Sequence, residues 1–328
     1  MKFEQSGSNL SVRALTEGAL MAALSALIVI ITIYIPFLGF LGLFIWGLPI
    51  IVLIVRHNIK VGVMGLIVTI AIVAIFAYPG LPLVLIFSGL TILFGYYFKY
   101  KLNPVKAILL GIIVNVFSFS ASILITIFGL NFTFSQIILQ PIQVLDQSLI
   151  IYKQSESLNR YLSLQGITFE QFRQTMLHQA EILIPGSFLF GCALFSLLIY
   201  LIAKSILKRL DYDVPFLPRF QDWHFPWYIV WALILGFGLK IIGDHFSNSL
   251  IQNISYNILS VLLAFYLVAG ISFVVFYWKN YSPTLFSRMM IVFLLVFSGA
   301  FIGYLLAMIG VLDSLYDFRR LVKRKRED

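Results

Sequence analysis

Five stretches of this chain, residues 18–55, 61–98, 107–145, 182–203 and 289–312, contain no Asp, Glu, Lys or Arg. A helix that crosses a bilayer needs roughly 20 consecutive apolar residues, and each stretch meets or exceeds that. Within lipid every backbone N–H and C=O must find a partner inside the protein, which leaves helices or closed barrels. Barrel strands would show alternating apolar and polar positions in segments of about ten residues, and no such pattern is present. The chain is therefore expected to be an all-α, polytopic transmembrane helical bundle. Composition agrees: 60% of residues are hydrophobic and 11% charged, whereas soluble domains carry about 25% charged residues.

The first three stretches are long enough for helical hairpins, with Pro36, the Pro79-Gly80-Leu81-Pro82 cluster and Asn131 as turning points. Helices are expected near residues 15–35, 38–55, 61–78, 82–98, 105–129, 182–206, 227–243, 253–277 and 287–311. The weakest is 227–243, which has Lys240 before its end, so eight or nine spans are open. Residues 131–181 form one long polar insert, either amphipathic helices over the bundle mouth or a solvated loop. The expected organisation is a six-helix domain over 1–210 carrying this insert outside the membrane, then a C-terminal helical module over 211–328 with a basic tail.

Lys and Arg set the orientation. Lys2, Arg13, Arg56, Lys60, Lys99, Lys101, Lys106, Lys204, Lys208, Arg209 and Arg219 fall on one side if the N-terminus is cytoplasmic, and the insert has only Lys153, Arg160 and Arg173. The same bias accounts for most of the net charge of +9 (23 Lys and Arg against 14 Asp and Glu) without invoking nucleic acid. The side of the C-terminus depends on whether the spans are even or odd in number. One cysteine, Cys192, excludes an intramolecular disulfide.

The first helix begins with unusually thin side chains. Ala19, Ala22, Ala23 and Ala26 lie at i, i+3, i+4 and i+7, one helical face, and the pairs 19/23 and 22/26 have small-xxx-small spacing. Lipid provides no hydrophobic drive between helices, so such a face gains by admitting another backbone for dispersion contacts. Spacing leaves open whether the docked helix belongs to this chain or to another integral membrane protein.

The stretches "LTEGALMAALSAL", "YIPFLGF", "WGLPIIVLIVRHNIKVGVMG", "DWHFPWYIVWAL" and "IGVLDSLYDFRR" together resemble the YybS family of bacterial multi-pass membrane proteins over nearly the whole chain. That resemblance implies a bacterial cytoplasmic membrane. The first six helices also resemble the substrate-binding S component of energy-coupling-factor vitamin transporters. There an Ala-xxx-Ala face of the first helix meets the coupling subunit, which implies a partner interface at Ala19, Ala22, Ala23 and Ala26. Where a Gln-Gly-Ser-like motif is expected in the eighth helix, this chain has Ala269, Gly270, Ile271 and Ser272.

A small-molecule pocket would require polar groups projecting into the bundle. Asn115, Ser118 and Ser122 share one face of the fifth helix with Phe119 beside them, and Ser88 and Thr91 are similarly spaced in the fourth. Such groups suit a ligand with few charges, and they serve equally as interhelical hydrogen bonders. Lys240 and Asp244, one turn apart, form the one ionisable pair within a span. No catalytic residue, metal site or cofactor is expected. His57, His178, His224 and His245 lack metal-ligand spacing, and neither a Gly-Lys-Ser/Thr phosphate loop nor a Gly-x-Ser-x-Gly elbow occurs. The expected function is a non-enzymatic membrane protein, either a substrate-binding or transport-related subunit that docks a partner through its first helix, or a scaffold or regulator without a small ligand.

Overall fold

Prolines and short polar caps decide where the helices start. The computed structural model describes residues 11–130, 133–281, 284, 289 and 299–320. They form α1 (Val12–Tyr34), α2 (Pro36–Ile45), α3 (Leu48–Arg56), α4 (Ile59–Phe76), α5 (Leu81–Lys99), α6 (Pro104–Leu130), α7 (Phe134–Tyr152), α8 (Glu156–Gln165), α9 (Phe169–Arg209), α10 (Val230–His245), α11 (Ser249–Tyr281) and α12 (Gly299–Tyr316). Among the described residues there is no strand. Ser11 and Asn58 cap α1 and α4 by accepting from Ala14 N–H (3.2 Å) and Val61 N–H (2.9 Å). The first turns of α2, α3 and α5 carry Pro36, Pro49 and Pro82, where a missing N–H costs nothing.

Eight helical stretches among the described residues, α2 and α3 counting together as one over 37–56, are long and apolar enough to cross a membrane. The last expected span, 287–311, is met as α12, which runs on to Tyr316; most of its first half lies outside the described residues. Asn131 and the basic tail from residue 321 also lie outside them.

Two boundaries differ from the sequence expectation. The helix expected over 38–55 is broken at Trp46 and Gly47 into α2 and α3. Pro49 cannot donate to the carbonyl four residues back, so the hydrogen-bond ladder is interrupted there, while Trp46 and Gly47 keep right-handed helical torsions and 37–56 remains one stretch of membrane-spanning length. The insert is helical, and its last part joins the following span in the single helix α9.

The chain divides into two compact units, Met1–Ile137 with Gly191–Leu217, and Ile138–Phe190 with Pro218–Asp328. In the first unit α3 is the centre. Leu48, Pro49, Ile50, Ile51, Val52, Leu53 and Ile54 are all buried, as befits a helix that is apolar all round. Its neighbours approach through glycine. A Cβ on Gly62 would stand 2.0 Å from Ile54 Cγ1, one on Gly65 2.8 Å from Leu53 Cδ2, and one on Gly95 2.6 Å from Ile54 Cδ1. In the second unit α11 packs along both α10 and α12. Backbones nearly touch where α11 and α12 cross, since a Cβ on Gly270 would fall 1.9 Å from Leu306 O and one on Gly310 2.2 Å from Tyr266 O.

Candidate functional site

The alanine strip of α1 is divided by the fold. Ala22 and Ala26 are fully buried, on the side that also carries Gly18, Ser25 and Val29. The Thr69 hydroxyl of α4 lies 3.2 Å from Ala22 O and 2.9 Å from Gly65 O, joining α1 to α4. Ala19 and Ala23 are exposed, as are Leu15, Leu20, Leu24 and Leu27 around them. One small pair is thus used within the chain and the other remains open.

The start of α1 is held by charge. Glu17 accepts from Arg13 Nε (3.0 Å) and pairs with Arg56 Nε (3.1 Å) and His57 Nε2 (2.6 Å). Lys99 Nζ donates to the His57 carbonyl, and Lys101 Nζ pairs with Asp213 at 2.7 Å. The start of α1, the α3–α4 and α5–α6 turns and the end of α9 therefore gather at one end of the first unit, and the basic residues gather with them.

The polar set on α5 and α6 is largely occupied in packing. Asn115 is buried and donates through Nδ2 to Cys192 O at 3.3 Å, while its Oδ1 is buried with no hydrogen bond. Thr91 donates to Phe87 O and Ser88 to Leu85 O, each within its own helix. Ser118 packs against α5, where a Cβ on Gly89 would come within 3.2 Å of its hydroxyl. Phe119 and Ser122 are half-buried further along α6. Phe195 of α9 stacks on Phe44 at 5.0 Å and contacts Phe87 at 5.4 Å, so aromatic rings take up space in this unit.

Lys240 and Asp244 stand 3.6 Å apart with both side chains well exposed, and Gln252 Nε2 donates to Asp244 at 3.1 Å. Exposed i,i+4 pairs contribute at most about 0.5 kcal/mol, so this pair is a surface contact within α10, and the Gln252 bond is what reaches α11.

The most organised polar cluster lies at the α11–α12 crossing. Asp317 takes a left-handed conformation (φ 46°) at the end of α12. The chain thereby folds Arg319 back onto Asp313, Nε to Oδ2 at 2.8 Å, with the two side chains 5% and 2% exposed. The same guanidinium donates to Gln221 O, Ser272 Oγ (3.1 Å) and Ala269 O (3.4 Å), and lies over the rings of Phe273 and Phe276. Ser272 Oγ is itself 2.5 Å from Phe220 O and 2.8 Å from Trp223 O. Arg320 bonds Asp317 through its backbone N–H, to Oδ1 at 3.3 Å. Three of the noted segments, around 220–227, 269–272 and 309–320, thus meet at Arg319. The readable signal was an Asp and an Arg straddling a helix end opposite a small-residue stretch on another span.

A second unforeseen feature is Asn257 of α11. Its Oδ1 accepts from Gly186 N–H at 2.7 Å and its Nδ2 donates to Ile182 O at 2.8 Å. These are the two groups that an unbroken α9 would join, next to Pro185 inside that helix. Among the described residues no group of three or more His, Cys, Asp or Glu could hold a metal ion.

Residues 23–314 match the model of the DUF2232 family, described as predicted membrane proteins. The chain belongs to that family. The uncharacterized protein YybS of Bacillus subtilis (strain 168) is 27% identical over 319 residues, covering 95% of this chain and 99% of that one. No solved structure matches the chain, so the likeness to S components remains an implication of the sequence alone. As a DUF2232 member with eight apolar helical stretches of membrane-spanning length among its described residues, the protein is an integral membrane protein of the multi-pass class.

Proposed function

We propose that this DUF2232 protein is a non-enzymatic subunit that docks a partner membrane helix on the outer small face of α1, at Ala19 and Ala23. The observation that carries the reading is the division of the strip. Ala22 and Ala26 already serve internal packing, and a second pair with the same spacing is left exposed. In lipid such a pair gains close backbone contact when a helix lies on it, whereas internal packing gives no reason for Ala in place of Leu there. A transport-related assembly fits this use of the first helix. The gathering of Arg13, Arg56, Lys60, Lys99, Lys101, Lys106, Lys204, Lys208 and Arg209 at one end of the first unit supports a cytoplasmic N-terminus in the bacterial cytoplasmic membrane.

Two forms of the reading differ over a ligand. The unpartnered Asn115 Oδ1 supports a small, weakly polar molecule bound between α5, α6 and α9. A scaffold or regulator without a ligand is favoured by Ser88 and Thr91, which bond within their own helix, and by the Phe44–Phe195–Phe87 stack.

The test is the double variant Ala19→Leu/Ala23→Leu, purified in mild detergent beside the wild type. Loss of a copurifying membrane protein with an unchanged thermal midpoint is the expected result. Full retention of that protein by the double variant would remove the docking role. Ala22→Leu, which enlarges a buried position, is expected to lower the midpoint and so separates internal from external packing.

A further inference from the structure

The cytoplasm-type end of the first unit holds a pocket that the docking reading does not use. α9 ends at Arg209, and Asp211 (φ 61°) reverses the chain. The last turns are closed by backbone alone: Leu210 N–H bonds Ile206 O (3.0 Å), Asp211 N–H bonds Lys208 O (3.2 Å) and Tyr212 N–H bonds Leu207 O (3.0 Å). Lys204 and Lys208 are therefore not needed to cap the helix end, a common use of lysine there. After the reversal, residues 212–216 form the other wall of an open pocket of about 270 Å³ lined by Lys204, Lys208, Tyr212, Asp213, Pro215 and Phe216.

Charge in this pocket is unbalanced. The carboxylate on its wall, Asp213, is engaged by Lys101 at 2.7 Å. Lys204 and Lys208, one turn apart, make no ion pair or side-chain hydrogen bond among the described residues. Like charges at i,i+4 repel, and an anion between them turns that repulsion into two attractions. The uncharged run of α9 ends at Ala203, so the ammonium groups lie where a spanning segment meets the headgroup layer. Phe216, 80% exposed, lines the pocket with apolar surface together with Val214 and Pro215.

We propose that this pocket binds the phosphodiester headgroup of an anionic phospholipid, Lys204 and Lys208 contacting the phosphate and Phe216 and Val214 the adjoining acyl-glycerol region. The shared chemistry is a phosphate anion. The exposed apolar flank selects a lipid over a soluble phosphate, because a free ion would gain nothing from it.

The experiment is native mass spectrometry of the full chain in detergent, titrated in parallel with phosphatidylglycerol, phosphatidylcholine and inorganic phosphate. Preferential retention of phosphatidylglycerol is expected. Binding should weaken about five-fold in Lys204→Gln or Lys208→Gln and about 25-fold in the double variant. Lys60→Gln and Lys106→Gln, at the same end but outside the pocket, should leave binding within about two-fold. Equal loss in those two variants would reduce the effect to the general charge of the rim and overturn the site. Lysine-dependent binding of inorganic phosphate with no preference for phosphatidylglycerol would overturn the lipid assignment. A thermal midpoint for each variant separates a lost ligand from a lost fold.

Discussion

The two units meet the same problem, polar groups away from water, in opposite ways. In the first, Thr32 and Thr91 bond within their own helices, to Ile28 O at 2.7 Å and Phe87 O at 3.0 Å, and the bonds that cross between helices are single and neutral: Thr69 to Ala22 O, Ser196 to Ile108 O and Asn115 to Cys192 O. Its ion pairs sit where helices end, around Glu17 and Asp213. Cohesion there comes from glycine and alanine, which let neighbours close on α3. The second unit also uses glycine, at Gly270 and Gly310, but adds a buried Arg–Asp pair and an Asn amide that bonds both backbone groups left open beside Pro185. The difference teaches that membrane helices can be fixed either by what is removed from an interface or by what is made to bond across it. The first kind should tolerate loss of a polar atom and resist added volume. The second should fail when a single polar partner goes.

The largest effect is expected at Arg319. Arg319→Met leaves Asp313 buried without its cation, and breaking one side of a buried pair costs about 3–5 kcal/mol. The same change releases the carbonyls of Gln221 and Ala269. The double variant Arg319→Met/Asp313→Leu should recover much of the loss, since replacing both charges by apolar groups is often near neutral. Thermal unfolding in detergent, read for wild type, single and double variants, checks this. A double variant as unstable as the single would mean that the carbonyl contacts, and not the paired charges, hold the α11–α12 crossing.

A middle-sized effect separates the units directly. Asn257→Leu removes the partner of Gly186 N–H and Ile182 O together, at a cost of about 1–3 kcal/mol for groups left unsatisfied. Faster hydrogen exchange should appear at Gly186 and its neighbours. Thr69→Val in the first unit should cost only about 0.6 kcal/mol, the usual size of an interhelical hydrogen bond in a membrane protein. Equal losses from the two variants would erase the contrast drawn here.

How much of this was legible beforehand follows the same division. Spans were readable because the hydrocarbon thickness sets a length that uncharged runs must meet. The thin face of α1 was readable because 3.6-residue spacing puts Ala19, Ala22, Ala23 and Ala26 together. Its division into buried 22/26 and open 19/23 was not, because that depends on where α4 lies, and α4 itself carries no marked apolar face. The break at Gly47 was hidden because a long apolar run reads as one helix unless Pro49 is given its full weight. The inward course of Arg319 was unreadable for a different reason. A basic residue just past a span ordinarily reads as an anchor, and only the left-handed turn at Asp317 sends it inward. Asn257 was invisible because its role is set by a proline about seventy residues away in sequence.

The smallest effect concerns an ion pair in the second unit that is not fully buried, and it marks where the contrast should fade. Arg173 forms a bidentate contact from α9 to Asp146 of α7, Nε to Oδ1 at 2.5 Å and Nη2 to Oδ2 at 2.8 Å. Hydrogen bonding to the guanidinium holds the Asp146 carboxyl below its ordinary value, partly opposed by desolvation. A carboxyl whose folded value is depressed stabilises the folded state above its unfolded value, about 3.9 for aspartate, and that contribution is lost as pH falls through the lower folded value. The α7–α9 contact should therefore be indifferent to pH near neutrality and loosen on acidification below about 4. Hydrogen exchange of α7, corrected for the intrinsic pH dependence of exchange, measures it. Asp146→Asn should show weaker protection at neutral pH and little further change on acidification, because the neutral amide has no proton to gain. A wild type and an Asp146→Asn variant with superimposable pH profiles would show that α7 is held by its apolar contacts and that polar bonding in this unit matters only where water is excluded.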